Sequence, residues 1–432
     1  MVQLEPFQVE EVKGNRDHYA VLTNISQWMD KYETTPDVLN ISETCAASLS
    51  IDELMALSED KNAPGPLNSS MVMTYGPIRG SDKLRQRLAG LYSVRTNSPL
   101  PYENILITAG AIQANFLALY KLIHPGDHVI CMYPTYQQLY SVPESLGAEV
   151  SLWKLKEDKD YVPDVEELKD LVRENTKMII INNPNNPTGA ITPKSVMKQI
   201  VEVASEHDII ILSDEVYRPL FHGISPVDDE YPPSLLSLGY EKAIVTGSMS
   251  KAYALAGIRV GWVASRSKEI VEKLASARDY TTISVSQLDD AVASYALDAN
   301  VLHALLARNI HLARTNVALM EQFVDKHRRN VEWVKPKAGT TAWVQFLYKG
   351  DPVDDVEFCK DVLKKTNVMI VPGNKCFGNG TRTKGDGEDY KGFVRIGYVC
   401  HTEVLREALE KLGKYIKDKD GLEAFGKLSL GD

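Results

Sequence analysis

Short apolar runs alternate with amphipathic stretches between about residues 103 and 264. Two of the stretches, "VPDVEELKDLVREN" and "PKSVMKQIVEVASEH", have the spacing of amphipathic helices. The alternation is typical of βαβ units, and the apolar character of the runs predicts a mostly parallel sheet buried under helices on both faces. The predicted strands are "NILIT", "HVICM", "EVSLW", "KMIIIN", "DIIIL", "AIVTGS" and "RVGWVA".

The pattern changes after Ser284. One long helical stretch is predicted through about Lys326, followed by three strand-like segments, "VEWVKPKAGTTAWVQFLY", "VMIVPG" and "GFVRIGYV", and a helix from Thr402. We therefore predict a large α/β domain at residues 50–295 and a smaller α+β domain formed by residues 1–49 and 296–432. The polar, glycine-rich "GNGTRTKGDGEDYKG", which starts at Gly378, is predicted to be a surface loop that could also act as a lid.

Composition narrows the class of protein. A chain of 432 residues with 44% hydrophobic and 25% charged residues is typical of a soluble globular protein. The net charge of -10 argues against a nucleic-acid-binding or membrane surface, and the five scattered cysteines suggest neither a disulfide framework nor a metal site. We see no signal peptide and no apolar stretch long enough to span a bilayer, so we expect a cytoplasmic protein.

Two predicted strands end in residues that carry chemistry. "TGSMSKAYALAGIRVGW" places Lys251 after Ser248 and Ser250, with Arg259 eight positions further on. "DIIILSDEVY" leads directly into Asp214 and then Tyr217. Ligands of open α/β sheets bind at the carboxyl ends of the strands, and a buried carboxylate is costly without a partner. We therefore expect these side chains to face one crevice.

Two further strand ends complete the predicted crevice. "INNPNNPTGAIT" holds too much asparagine and proline for a strand or helix, so we predict a shaped loop with Asn186 in it and a cis peptide bond at Asn186–Pro187. "ITAGAIQANF" predicts a tight turn into a helix, which leaves the backbone N–H groups of Gly110, Ala111 and Ile112 available to a phosphate.

Taken together, these groups match the needs of pyridoxal 5'-phosphate (PLP). Its aldehyde requires an amine, its pyridine nitrogen a carboxylate, its phenolate oxygen neutral donors, and its phosphate an arginine with hydroxyls. Tyr136, in "YPTY", offers an aromatic face to the ring. We therefore predict a PLP site.

Seven motifs give the chain a specific resemblance to the class I/II aminotransferases, which are fold-type I PLP-dependent enzymes, over about residues 35–415. They stand in family order, and the resemblance implies a large domain with a mostly parallel seven-stranded sheet. It also implies that Lys251 forms the Schiff base and moves the proton, while Asp214 keeps the pyridine nitrogen protonated. We expect aldimine formation and burial to lower the pKa of Lys251. The motifs are "YGPIRGSDKLRQRLA", "TAGAIQANF", "YPTY", "NNPNNPTG", "SDEVY", "SMSKAYALAGIRVGW" and "VRIGY".

The resemblance also implies roles for the other residues. Arg395 in "VRIGY" would bind the substrate α-carboxylate, a bidentate task that suits arginine. Tyr75 would reach the phosphate of a neighbouring subunit, which implies a homodimer with shared sites. The remaining cofactor contacts would be Asn186 and Tyr217 at the phenolate oxygen, Tyr136 stacked on the ring, and Ser248, Ser250, Arg259 and the backbone of Gly110, Ala111 and Ile112 at the phosphate.

One segment departs from the family pattern. Many class I/II aminotransferases carry Gly-Glu-Pro where this chain has Ser42, Glu43 and Thr44 in "LNISETCAASLS". This segment is similar to that of 1-aminocyclopropane-1-carboxylate synthases, and we assign Ser42, with Asn186 and Arg395, to the substrate side of the site.

The departure leaves the reaction open. The chain is predicted to be an aminotransferase acting on an α-amino acid and a 2-oxo acid. The alternative is a lyase of the same fold, either a carbon-sulfur β-lyase or a 1-aminocyclopropane-1-carboxylate synthase-like enzyme. A remote alternative is a non-catalytic ligand sensor. No obvious second arginine for a dicarboxylate side chain is apparent.

Overall fold

The computed structural model of the protein describes residues 25–94, 96, 98–378 and 390–418. Most of the segment predicted to be a loop or lid, residues 379–389, lies outside this description, as do residues 1–24 of the predicted small domain. Helices and strands are numbered along the chain. The first three are α1 (Ile25–Tyr32), β1 (Leu39–Asn40) and α2 (Ile51–Ala56).

A seven-stranded sheet forms the centre of the large part of the chain, in the order β2-β8-β7-β6-β5-β3-β4. All strands are parallel except β8, which runs antiparallel to both of its neighbours. The predicted strands and the mostly parallel sheet are therefore confirmed. The strands are β2 (Ile105–Thr108), β3 (His128–Tyr133), β4 (Glu149–Lys154), β5 (Thr176–Asn182), β6 (Ile210–Asp214), β7 (Ala243–Ser248) and β8 (Gly261–Ser265).

Helices cover both faces of this sheet. Successive residues of β5 alternate between two hydrophobic clusters: Ile179 and Ile181 belong to one, Met178 and Ile180 to the other. Alternation of buried residues on both sides explains why the strands read as continuous apolar runs. The helices are α3 (Asp82–Ser93), α4 (Ala111–Leu122), α5 (Gln138–Ser145), α6 (Val165–Leu171), α7 (Lys194–Glu206), α8 (Lys268–Arg278) and α9 (Gln287–Ala296).

The prediction of a single long helix after Ser284 is wrong, because two helices form there. Helix α9 ends at Ala296, and α10 (Ala299–Lys326) starts anew. Asp298 between them is extended, and its side chain accepts a hydrogen bond from the backbone N–H of Asn300 at 3.1 Å. This is an N-cap, which satisfies an otherwise free N–H of the second helix and fixes the break.

A second, smaller sheet follows α10. Strand β10 lies between β11 and β14 and also pairs with β9, while β13 pairs with β14. Strand β1 pairs in parallel with β12, which brings the N-terminal segment to this part of the molecule. The elements are β9 (Val331–Trp333), β10 (Thr341–Tyr348), β11 (Asp351–Pro352), α11 (Asp355–Thr366), β12 (Val368–Met369), β13 (Val371–Pro372), α12 (Gly373–Phe377), β14 (Phe393–Gly397) and α13 (Thr402–Lys417). Across the described residues, no helix is both long and apolar enough to traverse a bilayer.

Candidate active site

The strand ends of the large sheet form the floor of a cavity of about 470 Å³. The register pairs Asn182 at the end of β5 with Asp214 at the end of β6, and Asp214 with Thr246 on β7. Asp214 and Asn182 line the cavity together with Lys251 and Arg395. The crevice predicted at the carboxyl edge of the sheet is therefore where the chemistry-bearing residues meet.

Asp214 is 3% exposed, and both of its carboxylate oxygens are held. One accepts a hydrogen bond from the backbone N–H of Val216 at 3.1 Å, the other from Nδ2 of Asn115 at 3.0 Å. Burial raises the pKa of Asp214, although Asn115, the Val216 N–H and Lys251 oppose the shift. A buried carboxyl group of this kind is stabilised in its ionised form by a cationic N–H partner, and the protonated pyridine nitrogen of PLP is such a partner.

Asn115 is a site residue that the sequence analysis missed. Its amide oxygen accepts a hydrogen bond of 2.6 Å from the Thr246 hydroxyl, which fixes the amide so that its nitrogen faces Asp214. Its signal in the sequence was slight, since it is one amide on the buried face of the otherwise apolar helix α4.

The amine of Lys251 donates a hydrogen bond to the Thr44 hydroxyl and lies 3.7 Å from Sγ of Cys45. Burial lowers the pKa of this amine, but attraction from Cys45, Tyr217 and Glu43 outweighs it, so the net pKa is raised. The lowered pKa is expected of the lysine joined to PLP and stays a prediction; in the free amine, the neighbouring groups that bear negative charge when ionised outweigh burial.

The turn into α4 has the shape expected of a phosphate site. Gly110 has a φ of +78°, in the region that favours glycine, and its N–H donates to the Thr108 carbonyl at 2.9 Å. The predicted Gly110 N–H is thus already engaged within the turn. Ala111 and Ile112, which line the cavity, are the first residues of the helix, where N–H groups have no partner within the helix.

Arg259 faces this turn from the other side. A Cβ atom at position 110 would lie 2.8 Å from its Nη2 atom, so glycine leaves room for the guanidinium. Nη1 of Arg259 lies 3.4 Å from the Ser250 hydroxyl, and the Ser248 hydroxyl donates to that of Ser250 at 2.8 Å. A guanidinium, two hydroxyls and a helix N-terminus around one end of the cavity fit the phosphate of PLP.

The residues predicted around the cofactor ring also line the cavity. They are Tyr136, Asn186 and Tyr217. Burial raises the pKa of Tyr217, which is 2% exposed, and that of Tyr136, so both stay protonated donors near neutral pH. The backbone N–H of Asn186 donates to Oδ1 of Asn182 at 2.7 Å, and the predicted cis bond at Asn186–Pro187 is confirmed.

Arg395 on β14 closes the opposite side of the cavity and is 3% exposed. Its Nη2 donates to the Ser42 carbonyl at 2.7 Å, and its Nη1 lies 3.5 Å from Oδ1 of Asn186. Its Nε has no hydrogen-bond partner among the described residues. Burial lowers the pKa of this guanidinium, and an unpaired N–H on a buried cation is the arrangement that an anionic ligand would complete.

Ser42 reaches this site only through its backbone. Its hydroxyl donates to Oδ1 of Asn40 at 2.6 Å, and the residues of this segment that line the cavity are the three that follow it. A Cβ atom at position 397 would lie 1.6 Å from the Glu43 carbonyl, so Gly397 allows β14 to pack directly against the segment. The segment that departs from the family pattern is therefore held against the cavity.

Helix α1 contributes a part of the cavity that the sequence did not predict. Four of its residues line the cavity, and three of them recur every fourth position on one helix face. They are Ile25, Met29, Asp30 and Glu33.

Three other residues lie away from the cavity. Tyr75 is 77% exposed on the surface. Arg79 pairs through both terminal nitrogens with Glu272, at 2.9 and 2.7 Å, and Nε of Arg278 donates to the Ile107 carbonyl at 2.8 Å. Neither arginine is therefore available to a substrate in this cavity.

Comparison with known proteins agrees with the geometry. The family described as aminotransferase class I and II matches residues 48–412. An aspartate aminotransferase of Pyrococcus horikoshii is 29% identical over 344 residues, covering 79% of this chain and 83% of that protein. A capreomycidine synthase of Streptomyces vinaceus is 27% identical over 384 residues, covering 88% and 91%. The crystal structure of a PLP-dependent aminotransferase from Streptococcus suis matches with a TM-score of 0.79 and 37% identity, covering 93% of this chain and 97% of that one.

Proposed function

Because the chain belongs to the class I and II aminotransferase family and uses PLP, we propose that it transfers the amino group of an α-amino acid to a 2-oxo acid. The observation that carries the proposal is the meeting of Lys251, Asp214 and the incompletely paired Arg395 in one cavity. The donor amino acid leaves as a 2-oxo acid, and the acceptor leaves as an amino acid.

In the proposed reaction, each residue of the candidate site has a separate role. Bound PLP supplies an electron sink that stabilises negative charge at the substrate α-carbon. Arg395 binds the α-carboxylate and so orients the α-carbon towards the Lys251 amine. That amine removes the α-proton and returns it, as a general base and then a general acid. Thr44, which accepts a hydrogen bond from Nζ of Lys251, keeps the amine turned into the cavity.

Other residues of the site would hold the cofactor in place during the reaction. Asp214 would hold the protonated pyridine nitrogen, with Asn115 fixing the carboxylate. Ser248, Ser250 and Arg259 would hold the phosphate with the N-terminus of α4.

The test is an absorbance titration of the purified enzyme. Amino acids are added one at a time without any 2-oxo acid, and products are assayed. Transamination predicts one stoichiometric conversion to the pyridoxamine form, which a 2-oxo acid then reverses. Repeated turnover that releases ammonia without an acceptor would contradict it.

A lyase of the same fold, carbon-sulfur β-eliminating or 1-aminocyclopropane-1-carboxylate synthase-like, is the second candidate. The observation in its favour is that Thr44 and Cys45, in the segment that departs from the aminotransferase pattern, contact the amine of Lys251. A relative named capreomycidine synthase also covers most of the chain. Steady release of a 2-oxo acid, ammonia and a thiol or sulfide in the same titration would identify β-elimination. A cyclic amino acid formed with loss of the γ leaving group, without ammonia, would identify the cyclopropane-forming reaction.

We also propose that the enzyme is a homodimer. Tyr75 lies in a surface segment with other exposed apolar side chains, Leu67, Val72, Met73 and Ile78. A partner subunit would cover this surface and bring its Tyr75 to the phosphate site of this chain. Sedimentation should give twice the monomer mass, and Tyr75→Phe should weaken PLP binding without splitting the dimer. The cytoplasmic location stays a prediction from the sequence.

A further inference from the structure

The charged groups that line the cavity fall into two sets. The first set serves the cofactor and the reacting amino acid: Asp214, Lys251, Arg259 and Arg395. Each has a role at the ring nitrogen, the reacting carbon, the phosphate or the α-carboxylate. A second set is left over, and all of its members are acidic: Asp30, Glu33 and Glu43.

The three acidic residues lie at the open side of the cavity. Asp30 and Glu33 project from α1, and Glu43 precedes Thr44, which contacts the reacting lysine. All three are exposed, and none forms an ion pair with any lysine or arginine of the described residues. Their negative potential therefore acts on whatever occupies the cavity.

We propose that the substrate is an α-amino acid whose side chain ends in a cation, a guanidinium or an ammonium. This substrate class rests on the proposed function, and it gives the carboxylates without an ion pair the role of binding the substrate side chain. Arg395 takes the α-carboxylate, and Asp30, Glu33 and Glu43 take the cationic group of the side chain.

One observation besides the acidic residues supports this assignment. The buried Arg395 lines the cavity and its Nε has no hydrogen-bond partner among the described residues, which favours Arg395 as the group that binds the α-carboxylate. The field of Glu43 reaches the same place, because it contributes to raising the pKa of Lys251 and opposes the fall in the pKa of Arg395. Positive and negative groups thus line the same cavity.

A dicarboxylate does not suit this cavity. An acidic side chain would meet the three carboxylates at the mouth, and like charges repel. Arg79 and Arg278 could not bind such a side chain, because they are engaged with Glu272 and with backbone carbonyls. The chain is therefore expected to react poorly with aspartate, although several relatives are named aspartate aminotransferases.

The first experiment measures kcat/KM for the PLP-loaded enzyme with pairs of different charge: arginine against citrulline, which has the same shape, and lysine against norleucine, which lacks only the terminal amine. Arginine or lysine should exceed its neutral partner roughly tenfold, which is the order expected of a charge-assisted hydrogen bond. Added salt should raise KM for the cationic substrate and leave the neutral one unchanged. This salt test needs no variant.

The second experiment uses charge-removing variants at the mouth. The double variant Asp30→Asn with Glu33→Gln should lower kcat/KM for arginine about fivefold, as expected for exposed ion pairs, and leave citrulline unchanged. Glu43→Gln should lower the arginine-to-citrulline ratio further. Asp37→Asn is the matched control, because Asp37 is exposed in the same segment and does not line the cavity.

The outcomes separate the two proposals. Equal rates with arginine and citrulline, or a preference for aspartate, overturn the substrate class while leaving transamination intact. An enzyme that converts no amino acid to its 2-oxo acid, whatever its charge, refutes the proposed function itself. If Asp37→Asn lowers the arginine-to-citrulline ratio of kcat/KM as much as the variants at the cavity mouth do, net charge and not the cavity mouth is responsible.

Discussion

Replacing Arg395 by leucine tests the substrate half of the site most directly. The guanidinium is 3% exposed, its Nε is unpaired, and its Nη1 is held only by a contact of 3.5 Å to Asn186. Among the described residues, one of these two donors has no partner and the other has only a long contact, so we expect a substrate carboxylate to bind them. Leucine keeps much of the apolar volume and removes both donors.

The expected loss follows from the hydrogen bonds that disappear. A hydrogen bond to a charged partner contributes about 1.5–3 kcal/mol, so two contribute about 3–6 kcal/mol. At about 1.4 kcal/mol for each factor of ten, kcat/KM for amino acids should fall roughly 10² to 10⁴-fold. Arg395→Lys should recover part of this loss, because an ammonium offers charge without the planar fork.

The assay must separate binding of substrate from loss of cofactor or fold. PLP absorbance, circular dichroism and the single-turnover rate with an amino acid are measured on the same preparation. Arg85→Leu is the control, since Arg85 is also buried, its Nε donates to the Gly80 carbonyl at 3.2 Å, and it does not line the cavity. A PLP-loaded Arg395→Leu enzyme with unchanged kcat/KM would show that another group binds the α-carboxylate.

Three further changes test the cofactor half and the folded state. Lys251→Ala should lose activity by orders of magnitude, and borohydride followed by peptide analysis should fix PLP to Lys251 in the parent enzyme; label on another lysine would refute the assignment. Gly110→Ala should weaken PLP binding about tenfold or more, because its φ of +78° strains alanine and its Cβ would crowd Arg259; Gly257→Ala, with nothing within 4 Å, should not. His222 has a pKa lowered by burial from 6.5 to about 4, so the free energy of unfolding should fall by about 3 kcal/mol as pH drops from 6.5 to 4. His222→Gln should flatten that part of the pH profile, and an unchanged profile in thermal unfolding would contradict the reasoning.

Most strands of the large sheet were predictable because they are buried on both faces; the edge strand β4, whose residues are mostly exposed or half-buried, is the exception. That geometry imposes a continuous apolar run, and the run needs no knowledge of distant contacts. The residues at the strand ends were predictable for the same reason, since Asp214 and Lys251 follow such runs directly. The break between α9 and α10 at Asp298 was not predictable from the sequence. The apolar positions of the two helices continue in nearly the same phase, so they look like one helix.

Contacts between residues that are far apart in the chain could not be predicted from the sequence. Asn115 meets Asp214 only after the parallel crossovers bring α4 and β6 together, 99 positions apart. The raised pKa of Lys251 depends on Cys45, which lies 206 positions away. An isolated asparagine or cysteine in an apolar stretch carries no local sign of such a partner.

The two halves of the site therefore differ in what determines them. The cofactor half follows strands of one sheet, so its motifs keep a fixed order along the chain. The substrate half is assembled from α1, residues 42–45 and β14, which meet through the pairing of β1 with β12 and the contact at Gly397. No residue of α1 is among the proposed PLP contacts. We therefore expect changes of charge in α1 to alter which amino acid is accepted while PLP binding stays the same.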